Sequence, residues 1–325
     1  MIAKRFLMTV FLLFIGLSVI FPAQARTLRL GHAVNTKSPY HIGAREFAKC
    51  LQKSSSGSLK VKIYPNRQLG DERALIEGIR MGIVDLVVTS TGPLSNFAPD
   101  FAALDVPYLF TGYDEVDLVL GGKTGEHFLK SLRDNDIIGL AFWENGFRHV
   151  TNNKRPVEIP ADIKGIKIRT MENKIHMRCF DYLGARAQAL PFGEALAALR
   201  QGALDGQENP VNIIHAFNLQ ELQKYLSLTG HVYSPAVIIC SPKTWKSLSN
   251  EQQNRLRQCA VKAAQTEKEF IRSREQKMLQ ELKDKGMFIN TVDKQAFRKK
   301  LGPLREKFEK DMPWLEKIEA DLNQY

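Results

Sequence analysis

The chain has 325 residues, a formal charge of +11 and four cysteines. That length allows about two domains with sizeable cores. The basic excess is dispersed, densest around Arg298, Lys299 and Lys300, and no basic motif interleaved with aromatics accompanies it. This argues against a nucleic-acid partner and for a solvated surface that favours anions.

A short basic start with Lys4 and Arg5 precedes an almost wholly apolar run at 6–21, and Ala23, Gln24 and Ala25 supply a small-x-small cleavage site. The pattern is that of a secretory signal peptide over 1–25, cut after Ala25, and not of a membrane span. No Cys follows the run, so lipid attachment is not expected. Loss of Lys4 and Arg5 lowers the formal charge from +11 to +9 on an exported, periplasmic chain. No later stretch is apolar enough to cross a bilayer.

Residues 27–32 open the mature part as a strand. Ala44, Phe47, Ala48 and Leu51 then share one face of a helix. Leu59, Val61 and Ile63 alternate with lysines in a second strand. Asp71 is placed to N-cap a helix with Leu75 and Ile79 inward. Residues 85–90 form a buried strand ending in hydroxyls, closed by a Gly92-Pro93 turn. The glycine-rich stretch 121–125 lacks P-loop spacing and reads as a loop. An apolar strand at 137–143 follows, and the alternation of strands and helices implies parallel βαβ units.

A second α/β set begins after Trp143. Its first strand, 164–169 (KGIKIR), carries Arg169 to its carboxyl end. A helix at 177–183 ends at Gly184. Another opens at Gly193 and Glu194, with Ala195, Leu196 and Leu199 on one face, and stops near Gly202. Residues 205–210 (DGQENP) read as a turn-rich segment. A strand at 235–240 can return the chain to the first domain. Ser249 with Gln252 forms a capping box. It starts a long helix, with Leu256, Ala260, Ala263 and Phe270 on one face, that ends near Gly286. That helix exceeds what one small domain needs and can brace two. Pro303 and Pro313 divide the remaining helical stretch, 294–325. Two interleaved α/β domains fit this order.

Cys50, Cys179, Cys240 and Cys259 show no CxxC or metal-ligand spacing. Each lies in an apolar or helical context, so burial is the first expectation. One disulfide is open to them in an oxidising compartment, with its pairing undetermined.

No nucleophile elbow, HExxH, P-loop or dinucleotide fingerprint occurs. Neither cofactor nor metal is expected. Binding has better support. Open α/β sheets bind small ligands at the carboxyl ends of their strands. There Arg169 offers a planar fork of donors that matches a carboxylate. Arg148 sits just past a strand end, Ser90 ends a strand, and Asn209 brings an amide. These are the parts of a carboxylate site. Each also has an ordinary structural use, a salt bridge or a cap among them; Glu72 suits a helix N-terminus on charge alone.

The segments 143–148 (WENGFR), 164–169 (KGIKIR) and 205–210 (DGQENP), in this order, resemble the DctP-type substrate-binding proteins of tripartite ATP-independent periplasmic (TRAP) transporters. Residues 68–71 (QLGD) and 183–185 with Phe192 and Glu194 fit the same family, and the resemblance covers essentially the whole mature chain. It implies a periplasmic-binding-protein-like α/β fold of two lobes closing over an organic acid, with a long helix spanning both. Expected boundaries are 26–145 plus about 236–274 for one lobe and 146–235 plus about 275–325 for the other.

The resemblance makes Arg169 the principal carboxylate-binding residue and Arg148 a supporting arginine. Asn209 becomes a polar ligand contact and Phe192 a ring lining the pocket. Glu72 and Ser90 become first-lobe contacts, and Trp143, His32 and Met171 shape the pocket. Ser90 stands where sialic-acid-binding members carry an acidic residue, which argues against sialic acid. A sugar acid, uronate or aldonate, is the first expectation for the ligand, and a C4-dicarboxylate the alternative. The implied partners are the small and large membrane subunits of a permease driven by an ion gradient, with the receptor a monomer. A hydroxy-acid enzyme on this scaffold, or a sensory receptor subunit, are the other readings of the same pocket.

Overall fold

The computed structural model describes residues 25–323. The leader expected over 1–25 lies outside the described residues, Ala25 apart. Strand β1 (Arg26–Gly31), helix α1 (Pro39–Ser54), β2 (Leu59–Tyr64), α2 (Glu72–Arg80) and β3 (Leu86–Ser90) come first. The short α3 (Thr91–Leu94), then α4 (Tyr113–Gly121) and α5 (Lys123–Ser131), lead into β4 (Ile138–Asn152). Next are β5 (Lys167–Thr170), α6 (Lys174–Tyr182), β6 (Arg186–Ala189), α7 (Phe192–Arg200), β7 (Gly206–Pro210) and α8 (Val211–Ala216). The chain closes with β8 (Tyr225–Cys240), α9 (Pro242–Lys246), α10 (Asn250–Asp284), β9 (Phe288–Asn290), α11 (Lys294–Asp311) and α12 (Pro313–Leu322).

The strands pair in the order β2-β1-β3-β8-β4-β7-β5-β6, with β9 on β8. The outer pairs β1–β2, β1–β3, β5–β6 and β5–β7 are parallel, as the βαβ pattern requires. The centre is not. β3–β8, β4–β8 and β4–β7 are antiparallel. The expected strands at 137–143 and 235–240 are only the ends of β4 and β8, which run 15 and 16 residues. These two strands cross the molecule together, so one sheet serves both halves. Arg148 therefore lies within β4, opposite Pro210 and Val232, and not past a strand end.

Three local expectations also change. Residues 205–210 contain a strand, β7, buried throughout between β4 and β5. The stretch 121–125 joins two helices. A Cβ on Gly125 would stand 2.0 Å from the Leu120 carbonyl oxygen, so only glycine permits that approach. Pro303 lies inside α11 and does not end it. Leu301, Leu304 and Phe308 are buried on either side of it, and this packing outweighs the one lost backbone hydrogen bond.

The capping box at Ser249 and Gln252 is present and starts α10. Its 35 residues span about 52 Å. Leu256, Cys259, Ala260 and Ala263 pack in one core with α1, β1 and β3. Met278 and Leu282 pack in another with Val211, Ile214 and Leu226. The helix thus braces both halves. Midway, Arg272 donates to Glu144 of β4 and to Asp117 of α4, and Glu267 accepts from the Glu144 backbone N–H. A disulfide joins Cys50 of α1 to Cys259 of α10, while Cys179 and Cys240 are buried thiols. Among the described residues no helix is long and apolar enough to cross a membrane.

Candidate ligand-binding site

A pocket with about 360 Å³ of space, the solvent at its mouth included, lies between the two halves. Glu72, Ser90, Arg169, Met171, Phe192 and Asn209 line it. Tyr40, Asn145 and Ile213 join them, with Ala33 and Val34.

Arg169 comes from the carboxyl end of β5 and is 2% exposed. Its Nε and Nη2 both donate to the Leu190 carbonyl, at 2.8 and 2.7 Å. That clamps one edge of the guanidinium and leaves the terminal Nη1/Nη2 edge for a second bidentate partner. The group stands 5.5 Å from the Phe192 ring centroid, a cation–π contact that holds it flat. Burial pushes its pKa down to about 10, which leaves it charged at neutral pH. Among the described residues no carboxylate lies within 4 Å of it, although many surface arginines have one.

Glu72 opens α2, where its charge suits the helix N-terminus. One carboxylate oxygen accepts from the Thr89 hydroxyl (3.0 Å), the Ser90 backbone N–H (2.7 Å) and the Ser90 hydroxyl (2.9 Å). The other oxygen makes no hydrogen bond among the described residues and is free to accept. Ser90 Oγ also lies 3.3 Å from Met171 Sδ, a contact between the halves. Gly92 makes room for that methionine: a Cβ there would meet Met171 Cε at 2.5 Å. Nearby, Asn173 donates to the Gly92 carbonyl (3.1 Å) and to Asp105 (2.8 Å). These contacts close the pocket on one side.

Arg148, Trp143 and His32 stand behind the pocket wall and not on it. Arg148 and Glu208 are both fully buried and pair through two N–H donors, Nε and Nη2. Nη2 also reaches the Glu208 carbonyl (2.6 Å) and Asn209 Oδ1 (3.2 Å). Arg148 thereby fixes the amide that does line the pocket. His231 Nε2 lies 3.3 Å and His176 Nδ1 3.8 Å from Glu208, and His176 Nε2 is 3.3 Å from Asp105. Burial works to raise the Glu208 carboxyl, but Arg148 and the two imidazoles hold it well below the usual range. Burial works to lower His176, yet Asp105 and Glu208 hold it above its ordinary value. The cluster is thus close to balanced in charge, and Arg169 is the cation left over on that side.

Trp143 is fully buried, donates to the Ala260 carbonyl (3.0 Å) and packs its ring on α1 at Gly43, where a Cβ would stand 2.6 Å away. It seats α1 against β4. His32 is buried beside His41, with ring nitrogens 3.1 Å apart. Burial and then His41 pull its pKa down to about 3. His149, on β4, is pulled down to about 3 chiefly by burial, and its Nδ1 accepts from the Gly230 N–H, which requires a neutral ring.

Both imidazoles sit below their unfolded value of about 6.5. The unfolded chain therefore binds more protons between pH 6.5 and 3, and stability falls as pH falls through that window. Each group adds a slope of up to about 1.4 kcal/mol per pH unit there, whereas His176, held above its ordinary value, acts in the opposite sense only above about pH 6.5. Urea unfolding at pH 7 and pH 5 is expected to show a clear loss at pH 5, reduced in His149→Gln. Equal stability at both pH values would contradict these assignments.

Tyr40 and Asn145 had no signal of their own in the sequence. Asn145 lies within the WENGFR segment, but nothing there marks it over its neighbours. Tyr40 reads as an ordinary first-turn residue after Pro39.

Residues 30–311 match the family model for bacterial extracellular solute-binding proteins, family 7, DctP. The 2,3-diketo-L-gulonate-binding periplasmic protein of Escherichia coli K12 is 35% identical over 291 residues, 89% of each chain. The structure of a TRAP periplasmic solute binding protein from Polaromonas sp. JS666 bound to D-erythronate is 39% identical. It aligns with a TM-score of 0.88 over 91% of this chain and 97% of that one. The sugar acid binding protein of Advenella mimigardefordensis in complex with galactonate is 31% identical, with a TM-score of 0.90 over 93% and 99% of the two chains. These relatives are receptors and not enzymes. With the family model spanning most of its length and the two-lobed fold shared, the chain belongs to the DctP family of bacterial extracellular solute-binding proteins.

Proposed function

We propose that this protein is the periplasmic receptor of a TRAP transporter and that its ligand is a sugar acid, an aldonate or a uronate. The observation that carries this reading is Arg169: buried, charged, facing the pocket with one free edge and, among the described residues, with no carboxylate within 4 Å of it. The ligand carboxylate supplies the missing charge through charge-assisted hydrogen bonds. Glu72 supports hydroxyls at the other end. Its free oxygen accepts from a ligand O–H and repels a second carboxylate. Arg148 is a weaker anchor for that second carboxylate, because Glu208 already neutralises it. This weighs against a C4-dicarboxylate. The ligands named for the relatives, D-erythronate, galactonate and 2,3-diketo-L-gulonate, are polyhydroxy or keto acids of the same kind.

In this reading the lobes are 26–145 plus about 236–274 and 146–235 plus about 275–325. The register of β4 on β8 shifts between Glu144 and Gly146, which supports a hinge there. The acid docks on Arg169 and Asn209 of one lobe. Glu72 and Ser90 then reach it from the other, and closure removes water and strengthens each contact. The leader is cut after Ala25, and the loaded monomer delivers its cargo to the small and large permease subunits. A thermal-shift panel tests the ligand class, since a ligand bound only by the folded state raises the melting temperature. Aldonates and uronates are expected to raise it and succinate is not. A shift with succinate alone would overturn the sugar-acid assignment.

A further inference from the structure

We propose that Tyr40 is a ligand-binding residue whose hydroxyl donates to an acceptor oxygen of the bound acid. The proposal rests on the acid-receptor reading above. Tyr40 lines the pocket, is 3% exposed, and its hydroxyl is a buried polar atom with no hydrogen-bond partner among the described residues. The other enclosed phenols are all satisfied: Tyr108 donates to the Thr229 carbonyl, Tyr113 to Glu275 and Tyr233 to Glu144. A buried hydroxyl left unpaired is costly, and such a group on a pocket wall is explained by a partner that arrives with the ligand.

Its placement is enforced. Pro39 starts α1, so Tyr40 is in the first turn. Gly43, one turn on, lets that end of the helix press onto Trp143, which is itself tied to Ala260. The hydroxyl is a donor throughout the physiological range. Burial, then the charges of Glu72 and Glu267, holds the phenol well above its usual pKa. Tyr40 and Glu72 therefore set opposite requirements: the ligand must present an acceptor to one and a donor to the other. Hydroxyl groups meet both, and the bare methylenes of a simple dicarboxylate meet neither.

The test is Tyr40→Phe, which removes only the oxygen. Calorimetry would be run with D-galactonate and with succinate on both proteins, together with melting of each protein without ligand. The variant is expected to melt at or above the wild-type temperature without ligand. It should bind the acid that the wild type takes about 10- to 100-fold more weakly. Affinity unchanged to within about threefold would overturn the proposal. So would a lower melting temperature without ligand, since that would mean the hydroxyl has a partner within the protein, such as the equally unpaired Glu267 Oε1. Succinate as the tighter ligand would overturn the sugar-acid reading alone, with Tyr40 then judged by the Phe variant's affinity for succinate.

Discussion

Arg169→Ala is expected to lower affinity for the acid by about 2–5 kcal/mol, the range for losing one partner of a buried charge pair. That is about 30-fold to several thousandfold in Kd. Without ligand, the guanidinium is desolvated and, among the described residues, donates only to the Leu190 carbonyl. With ligand, it faces a carboxylate in a site closed to water, where the pair is worth most. Truncation should therefore weaken binding far more than it lowers the melting temperature of the empty protein. Arg169→Lys should also bind poorly, because a point charge cannot hold Leu190 and a carboxylate in one plane. Calorimetry with D-galactonate reads both. An affinity within about threefold of wild type for the Ala variant would remove Arg169 from the site.

Glu208→Gln is expected to destabilise the empty protein by about 3–5 kcal/mol, because it leaves Arg148 charged and fully buried with no counter-charge. His176 would lose one of the two carboxylates that hold its proton. Replacing the pair together, Arg148→Met with Glu208→Leu, is expected to restore much of that stability, since apolar substitutes for a buried pair are often neutral. Binding should stay impaired in the double variant, because Asn209 loses the donor that fixes its amide. Urea unfolding separates these outcomes. A loss below about 1 kcal/mol for Glu208→Gln would show that Arg148 finds another partner. Full affinity in the double variant would show that the pair does not position the site.

The sequence made the outer elements legible because their signals are local. Alternation marks β2, the Ser249–Gln252 box marks the start of α10, and the KGIKIR segment places Arg169 at the end of β5. Glu72 and Ser90 were legible for the same reason, one at a helix start and one at a strand end. The centre of the sheet was not. β7 carries Gln207, Glu208 and Asn209, all buried, and reads as a polar turn. Its side chains are satisfied by Arg148, Thr151 and His231, which are distant in sequence. A buried strand of polar residues has no periodic signature once its partners lie elsewhere in the chain. The same gap placed Arg148 at a strand end and hid Glu208. Likewise the Cys50–Cys259 pairing depends on how α1 packs on α10, across 209 residues of sequence.

The most direct measurement of the central claim is a calorimetric comparison of D-galactonate with galactitol, which keeps the hydroxyls and lacks the carboxylate. Galactonate is expected to bind, and galactitol to bind at least about 100-fold more weakly, since only the acid can neutralise Arg169. Comparable affinities for the two would contradict it, and would shift recognition from Arg169 to the hydroxyl-binding groups around Glu72.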